Sequence, residues 1–267
     1  MKTPISYYGG KQNMVNHILP LVPQHKIYVE PFTGGAALFF AKGLAEVNIL
    51  NDTNQHAVNF FRQCKTNFEP LQKMIQSTLH AEALYWEAAQ ILKTDTGTDT
   101  EKAWAFWVQT NMSFSSKMFG GFAFGKSGRV PKTTANKITR FTHKICDKLQ
   151  RAIIFNRDAL DLIPRFDTPE TFFYLDPPYV SSNCGHYKGT WGAPEQERLI
   201  KVLESIQGRF ILSGYPADLA ATRGWYRREF TQQLSVSGKH NTGKKKTEVL
   251  ITNFVPVPEL FTPETHW

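Results

Sequence analysis

The 267-residue chain carries 31 Lys and Arg against 23 Asp and Glu, a net charge of +8; it is 41% hydrophobic and 13% aromatic, enough for one large α/β domain plus an insert. Its three cysteines, Cys64, Cys146 and Cys184, are far apart without Cys-x-x-Cys spacing, which argues against a disulfide framework or a zinc site and fits a reducing compartment. No apolar run is long enough to cross a bilayer and Met1-Lys2-Thr3-Pro4 lacks an apolar signal core, so a soluble cytoplasmic protein is expected.

Ser6-Tyr7-Tyr8-Gly9-Gly10-Lys11 comes first. Paired glycines let the backbone approach a ligand closely, and Lys11 sets a positive charge beside it. The full Gly-x-x-x-x-Gly-Lys-Ser/Thr phosphate loop is missing, and an ordinary turn is the plainer alternative. Met14, Val15, Ile18 and Leu19 follow at helical spacing. Ile27-Tyr28-Val29-Glu30 reads as a strand that runs into Pro31-Phe32-Thr33-Gly34-Gly35 and then a helix over 38–42. Strand, glycine turn and helix make half of a nucleotide-binding unit, here without the Gly-x-Gly-x-x-Gly fingerprint; a tight packing turn is the alternative. The next strand, 47–52, ends in Asp52. An acid about twenty residues beyond such a turn is where this kind of fold binds ribose hydroxyls. Asp52 could instead cap the helix expected over 53–65, and the spacing favours the ribose.

Residues 68–93 carry Leu71, Met74, Ile75, Leu79, Leu84, Tyr85 and Trp86 in a helical pattern, 94–100 is a polar linker, and 103–111 is a further helix. Trp104, Phe106, Trp107 and Val108 sit at helical spacing and suit a core better than base-stacking platforms. From Ser113 to Lys126, basic, aromatic and glycine residues interleave, predicting a hairpin that could lie along nucleic acid; a plain β-hairpin is the alternative. Between Ala103 and Asn156 nine Lys and Arg, among them Lys117, Lys126, Arg129 and Lys132, face one acid, Asp147. The remaining 22 basic and 22 acidic residues balance, so the excess is a patch, the electrostatic footprint of a polyanion partner. Residues 136–149 read as a basic helix, and 152–155 as a strand with Asp158 just beyond.

Thr171-Phe172-Phe173-Tyr174-Leu175-Asp176-Pro177-Pro178-Tyr179 then puts an acid, two prolines and a tyrosine at the exit of a buried strand. In open α/β sheets ligands bind at that edge. The set suits a planar aromatic amine such as that of adenine. Asp176 can accept one N–H and the Pro177 carbonyl the other, favouring a pyramidal nitrogen with its lone pair aimed at an electrophile, and Tyr179 offers a face for an extruded base. A strand-ending turn with a solvated Asp is the plain alternative. Residues 181–191 read as a Gly-, Ser- and Asn-containing loop, 194–206 as a helix, 210–213 as a strand, and 225–236 and 247–254 as two late strands. Between these, Gly238 to Lys246 is a basic loop in which Lys244 and Lys245 are further candidates for phosphate contact, a solubilising turn being equally consistent. The eight histidines show no metal-ligand spacing.

Taken together, Tyr7-Tyr8-Gly9-Gly10-Lys11, Val29-Glu30-Pro31-Phe32-Thr33-Gly34-Gly35, Ile49-Leu50-Asn51-Asp52 and Asp176-Pro177-Pro178-Tyr179 resemble, in order, the motifs of the Dam-type, alpha-class DNA adenine-N6 methyltransferases. Lys244 to Leu250 also resembles that family's lead-in to its last strand. The resemblance covers nearly the whole chain. It implies an α/β, Rossmann-like, seven-stranded methyltransferase sheet, with catalytic pieces at 1–66 and 150–267 and a mainly helical target-recognition insert at 67–149. It implies S-adenosylmethionine as methyl donor and no metal. Tyr7, Lys11, Asp52, Asp158 and Asp176 would contact that cofactor, with Phe32 and Gly34 beside its methionine part, and Asp176, Pro177, Pro178 and Tyr179 would form the catalytic motif. It further implies double-stranded DNA as substrate, a monomer, and a bacterial or phage origin, with a cognate restriction endonuclease as an optional partner. The stretch around Phe114–Lys126 is shorter than in the GATC-specific members, so the target sequence does not carry over. Two rival readings stay open: methylation of an amide or amine in RNA or protein, and a non-catalytic methyltransferase fold that binds nucleic acid.

Overall fold

The computed structural model describes residues 1–126, 128–180, 191–219, 224–233 and 245–256. Seven strands form one mixed sheet: β1 (Ile27–Glu30), β2 (Val47–Asn51), β3 (Ala152–Phe155), β4 (Thr171–Leu175), β5 (Arg209–Gly214), β6 (Tyr226–Gln233) and β7 (Lys245–Thr252), in the spatial order β3-β2-β1-β4-β5-β7-β6. The pairs β2–β3, β1–β4 and β4–β5 are parallel; β7 runs antiparallel to β5 and β6. The chain divides into two compact units, residues 1–19 with 33–158 and residues 20–32 with 159–267.

The second unit holds β1, β4, β5, β7 and β6. Thr171 to Leu175 are all buried, because β4 lies between two parallel neighbours; a strand covered on both faces reads as a continuous apolar run rather than an alternating one. Full burial of a Phe or Leu contributes about 1.5–3 kcal/mol, so Phe172, Phe173 and Leu175 anchor the strand that ends at Asp176. Pro177 and Pro178 lack the N–H groups a ladder needs, and the chain leaves the sheet there. Since β1 and β4 run parallel, with Val29 opposite Phe173, the segments after Glu30 and after Leu175 emerge at the same edge.

The first unit carries β2, β3 and the helices α1 (Val15–Ile18), α2 (Ala37–Ala41), α3 (Gln55–Thr66), α4 (Phe68–Gln76), α5 (Glu82–Thr94), α6 (Asp99–Met112), α7 (Arg129–Thr139) and α8 (Lys144–Gln150). Thr98 starts α6 with a capping box: its hydroxyl accepts from the Glu101 N–H while the Glu101 carboxylate accepts from the Thr98 N–H at 2.7 Å. From Ala103 to Met112 every residue of α6 is buried, so its aromatics are core, as their spacing predicts. Phe106 packs on Phe60 of α3 with ring centroids 5.9 Å apart.

The helical pattern over 68–93 forms as two helices, α4 and α5, parted where Thr78 turns its hydroxyl onto the Met74 carbonyl and accepts from the Trp104 indole, both at 2.8 Å. Two local expectations are corrected. The basic helix over 136–149 is likewise two, α7 and α8. The hairpin over 114–126 has no ladder; one antiparallel bridge, Ser113 with Phe122, closes it. Ser115, Ser116 and Phe119 have positive φ and curl the chain, while Gln109 and Tyr85 accept from the N–H groups of Phe119 and Gly121. They add to the two backbone bonds of that bridge, from the Phe114 N–H to the Gly121 carbonyl at 2.9 Å and from the Ala123 N–H to the Met112 carbonyl at 2.8 Å. No helix among the described residues is long and apolar enough to cross a membrane.

Candidate active site

The glycine turn of the first unit is built around Asp52. Its Oδ2 accepts from the Gly34 N–H at 2.7 Å and its Oδ1 from the Asn54 N–H at 2.8 Å. Asp52 is buried, and burial pushes its carboxyl up from the ordinary aspartate value against the opposing pull of these backbone donors. The cap of α3 is Asn54, whose side chain accepts from the His56 N–H, so Asp52 is released from capping. The Asn54 amide also donates to the Tyr7 hydroxyl at 3.0 Å. Gly34 has φ +47, and a Cβ on it would meet the Tyr7 ring at 3.1 Å. A glycine turn, an aromatic face and a buried acid therefore converge: Tyr7, Gly34 and Asp52 are brought together.

Lys11 is buried in the same unit, its ammonium donating to the Gly9 carbonyl at 3.1 Å. Asp158 is exposed just past β3. Its approach is fixed by Asn51, which bonds both the N–H and the carbonyl of Arg157 at 2.9 and 3.0 Å, and by Asn156, which donates to the Asp52 carbonyl at 2.7 Å. Asn51, Asn54 and Asn156 were missed in the sequence; polar residues at a strand end and a helix start carry no signal of which distant groups they tie.

In the second unit, Asp176 stands at the end of β4. Its Oδ1 accepts from the Ser213 hydroxyl at 2.9 Å and from the Tyr179 hydroxyl at 3.1 Å. The Tyr179 hydroxyl also lies 2.9 Å from Glu248 Oε2, on β7. Burial first, then the charges of Asp176 and Glu248, pushes the Tyr179 phenol well above its usual range, so it stays protonated. Tyr215 packs edge-on against the Tyr179 ring, centroids 4.5 Å apart. Pro177 is buried and Pro178 half-buried. Phe32, beyond β1, sits edge-on to Trp191 at 5.1 Å. Beneath this edge the Tyr28 hydroxyl donates to the buried Glu30. Asp176 and Tyr179 are thus brought together, with Ser213, Tyr215 and Glu248 as partners the sequence did not single out.

Lys117, Lys126, Arg129 and Lys132 are all exposed, with Phe124, 83% exposed, on the same stretch. Lys245 opens β7; Lys244 and the rest of the basic loop, like residues 181–190 of the loop after the motif, lie outside the described residues. Among the described residues no group of three or more His, Cys, Asp or Glu could hold a metal ion.

A family model described as D12 class N6 adenine-specific DNA methyltransferase matches residues 7–242. The chain is similar to the modification methylase StsI of Streptococcus sanguinis, 24% identical over 95% of this chain and 43% of that protein, so it spans less than half of that relative's length. It is also similar to a DNA adenine methylase of Vibrio cholerae, 24% identical over 94% of this chain and 95% of that protein. A third relative is the type II methyltransferase M.CviBI of Paramecium bursaria Chlorella virus NC1A, 23% identical over 79% of this chain and 82% of that protein.

Proposed function

The chain belongs to the D12 class N6 adenine-specific DNA methyltransferase family, and from that premise we propose that it is a site-specific methylase of duplex DNA, moving a methyl group from S-adenosylmethionine to N6 of an adenine turned out of the helix. The observation that carries this reading is the exit of β4, where Asp176 is oriented by Ser213 and Tyr179 directly before a proline pair.

The residues of the glycine turn fit the cofactor: Gly34 leaves a cradle against Tyr7 that a Cβ would fill, and the buried Asp52 carboxylate borders it. Bound S-adenosylmethionine supplies a methyl group on a sulfonium centre. Asp52 accepts ribose hydroxyls; Tyr7, Lys11 and Asp158 line the same cofactor, with Phe32 and Gly34 beside its methionine part. Asp176 and the Pro177 carbonyl accept the two N–H groups of the target amine and aim its lone pair; Tyr179 stacks on the base. Bound there, the cofactor would supply its methyl group to the nitrogen so aimed, and that nitrogen would then give up a proton, so no strong general base is needed. Lys117, Lys126, Arg129 and Lys132, with Lys244 and Lys245, meet phosphates, and residues 67–149 read the target. The protein acts as a monomer. The name of the StsI relative, a modification methylase, supports a restriction-modification setting.

The test is transfer from labelled S-adenosylmethionine to unmethylated duplex DNA by the wild type and by Asp176→Ala. Transfer by the wild type alone, at equal melting temperatures, is expected. A variant that still methylates sinks the assignment of Asp176.

A further inference from the structure

Glu248 is a buried acid at the exit of β4 that the proposed reaction does not use. It is 3% exposed. The pairing of β5 with β7 brings it there: Ser213 faces Leu250 and Gly214 faces Val249, so Glu248 falls one residue past the carboxyl end of β5, at the edge where Asp176 leaves β4. A buried carboxylate is costly unless hydrogen-bonded, and a second carboxylate nearby raises the cost. Here one bond comes from the catalytic-motif tyrosine: Glu248 Oε2 is 2.9 Å from the Tyr179 hydroxyl, which is 3.1 Å from Asp176 Oδ1.

A phenol carries one proton, so one proton serves two carboxylates. With its ring packed edge-on by Tyr215, Tyr179 is held at both the ring and the hydroxyl. Asp176 is held in turn by Tyr179 and Ser213 on a single oxygen. Removing one acceptor loosens the hydroxyl, and a shift of about 1 Å at reacting groups can cost about a hundredfold in rate.

We propose that Glu248 is a positioning residue for methyl transfer: it anchors the Tyr179 hydroxyl and so fixes together the aromatic face and the carboxylate that receive the target amine. This rests on the adenine-methylase reading above.

The test is a double-mutant cycle on single-turnover transfer to duplex DNA. Glu248→Met fills the same space without an acceptor, and the Tyr179 hydroxyl keeps Asp176 Oδ1 at 3.1 Å, so no buried donor is left unsatisfied. It should lower the transfer rate about tenfold or more while leaving melting temperature and cofactor affinity unchanged. Glu248→Gln, which keeps an acceptor oxygen, should restore most of the rate. In a Tyr179→Phe background, Glu248→Met should cost no further transfer rate, because the hydroxyl it positions is gone. A purely architectural role would lower the melting temperature and multiply with Tyr179→Phe. Full activity of Glu248→Met, failure of Gln to rescue, or multiplying losses overturns the proposal. A wild type that transfers nothing to DNA overturns the underlying reading itself, which the three variant outcomes leave standing.

Discussion

Replacing Asp52 by Asn keeps the side chain's shape and removes one acceptor. In the wild type each carboxylate oxygen holds a backbone N–H, Gly34 at 2.7 Å and Asn54 at 2.8 Å. Whichever way the substituted amide turns, one of those N–H groups faces an NH2 donor. A hydrogen bond to a charged group is worth about 1.5–3 kcal/mol, and an unsatisfied buried donor costs about 1–3 kcal/mol. A net loss of about 2–3 kcal/mol corresponds to a drop of roughly 4–10 °C in melting temperature for a domain of this size. The same change takes an acceptor from the proposed ribose contact, so the Kd for S-adenosylmethionine should rise about tenfold, equivalent to ~1.4 kcal/mol. Thermal melting reads the first effect and calorimetry the second. An Asp52→Asn variant that melts and binds like the wild type refutes both roles; one that melts earlier but binds with unchanged Kd refutes the ribose contact alone. The pH dependence has a defined sign. Burial raises the Asp52 carboxyl above its ordinary value, so the folded state holds its proton more tightly than the unfolded one, and this group's contribution to stability declines as pH rises between the two values. Protonation also removes an acceptor, so cofactor affinity should fall as pH drops through the raised value, a step absent in Asp52→Asn.

Gly34→Ala would hold an L-residue at φ +47, costing about 1–2 kcal/mol, and press its Cβ on the Tyr7 ring at 3.1 Å. Calorimetry should show cofactor affinity weakened about tenfold, and unchanged affinity would contradict the cradle. Lys137, whose ammonium donates to the Asn111 carbonyl at 3.0 Å, is lowered by burial to about 8. Its unfolded form binds more protons than its folded form between about 8 and the ordinary 10.5, so stability should gain from rising pH over that window. Lys137→Met should flatten the gain in chemical denaturation. Exchanging the exposed Lys117, Lys126, Arg129 and Lys132 for Ala should leave the melting temperature alone. It should weaken DNA binding for all sequences and shrink the salt slope by about 0.9 per lost phosphate contact, measured by anisotropy; an unchanged slope removes these residues from the interface.

The strands were legible because burial writes itself into local composition: the run from Phe172 to Leu175 is aromatic and aliphatic since β4 is buried along its whole length. The glycine turn and the place of Asp52 beside it were legible by spacing along one strand-turn-helix-strand unit. What the sequence hid depends on partners distant along the chain. The break after α4 is stabilised by Trp104, 26 residues past Thr78, and the curl after Ser113 by Tyr85 and Gln109. Helical periodicity in the first case, and basic-aromatic alternation in the second, report only neighbours. Glu248 was hidden by its surroundings: between Lys246 and Val249 it looks like a charged lead-in to a strand, and only the antiparallel return of β7 beside β5 makes it a buried partner of Tyr179. Of the two roles the sequence leaves open to Asp52, the helix cap falls to Asn54.

Adenine methylation is read out by incubating the wild-type protein with labelled S-adenosylmethionine and unmethylated duplex DNA, digesting to nucleosides for mass spectrometry, and sequencing the modified positions. Site-specific transfer to adenine should put label in N6-methyladenine within one short sequence context. Cofactor binding without label in DNA, or label in any other nucleoside, contradicts it.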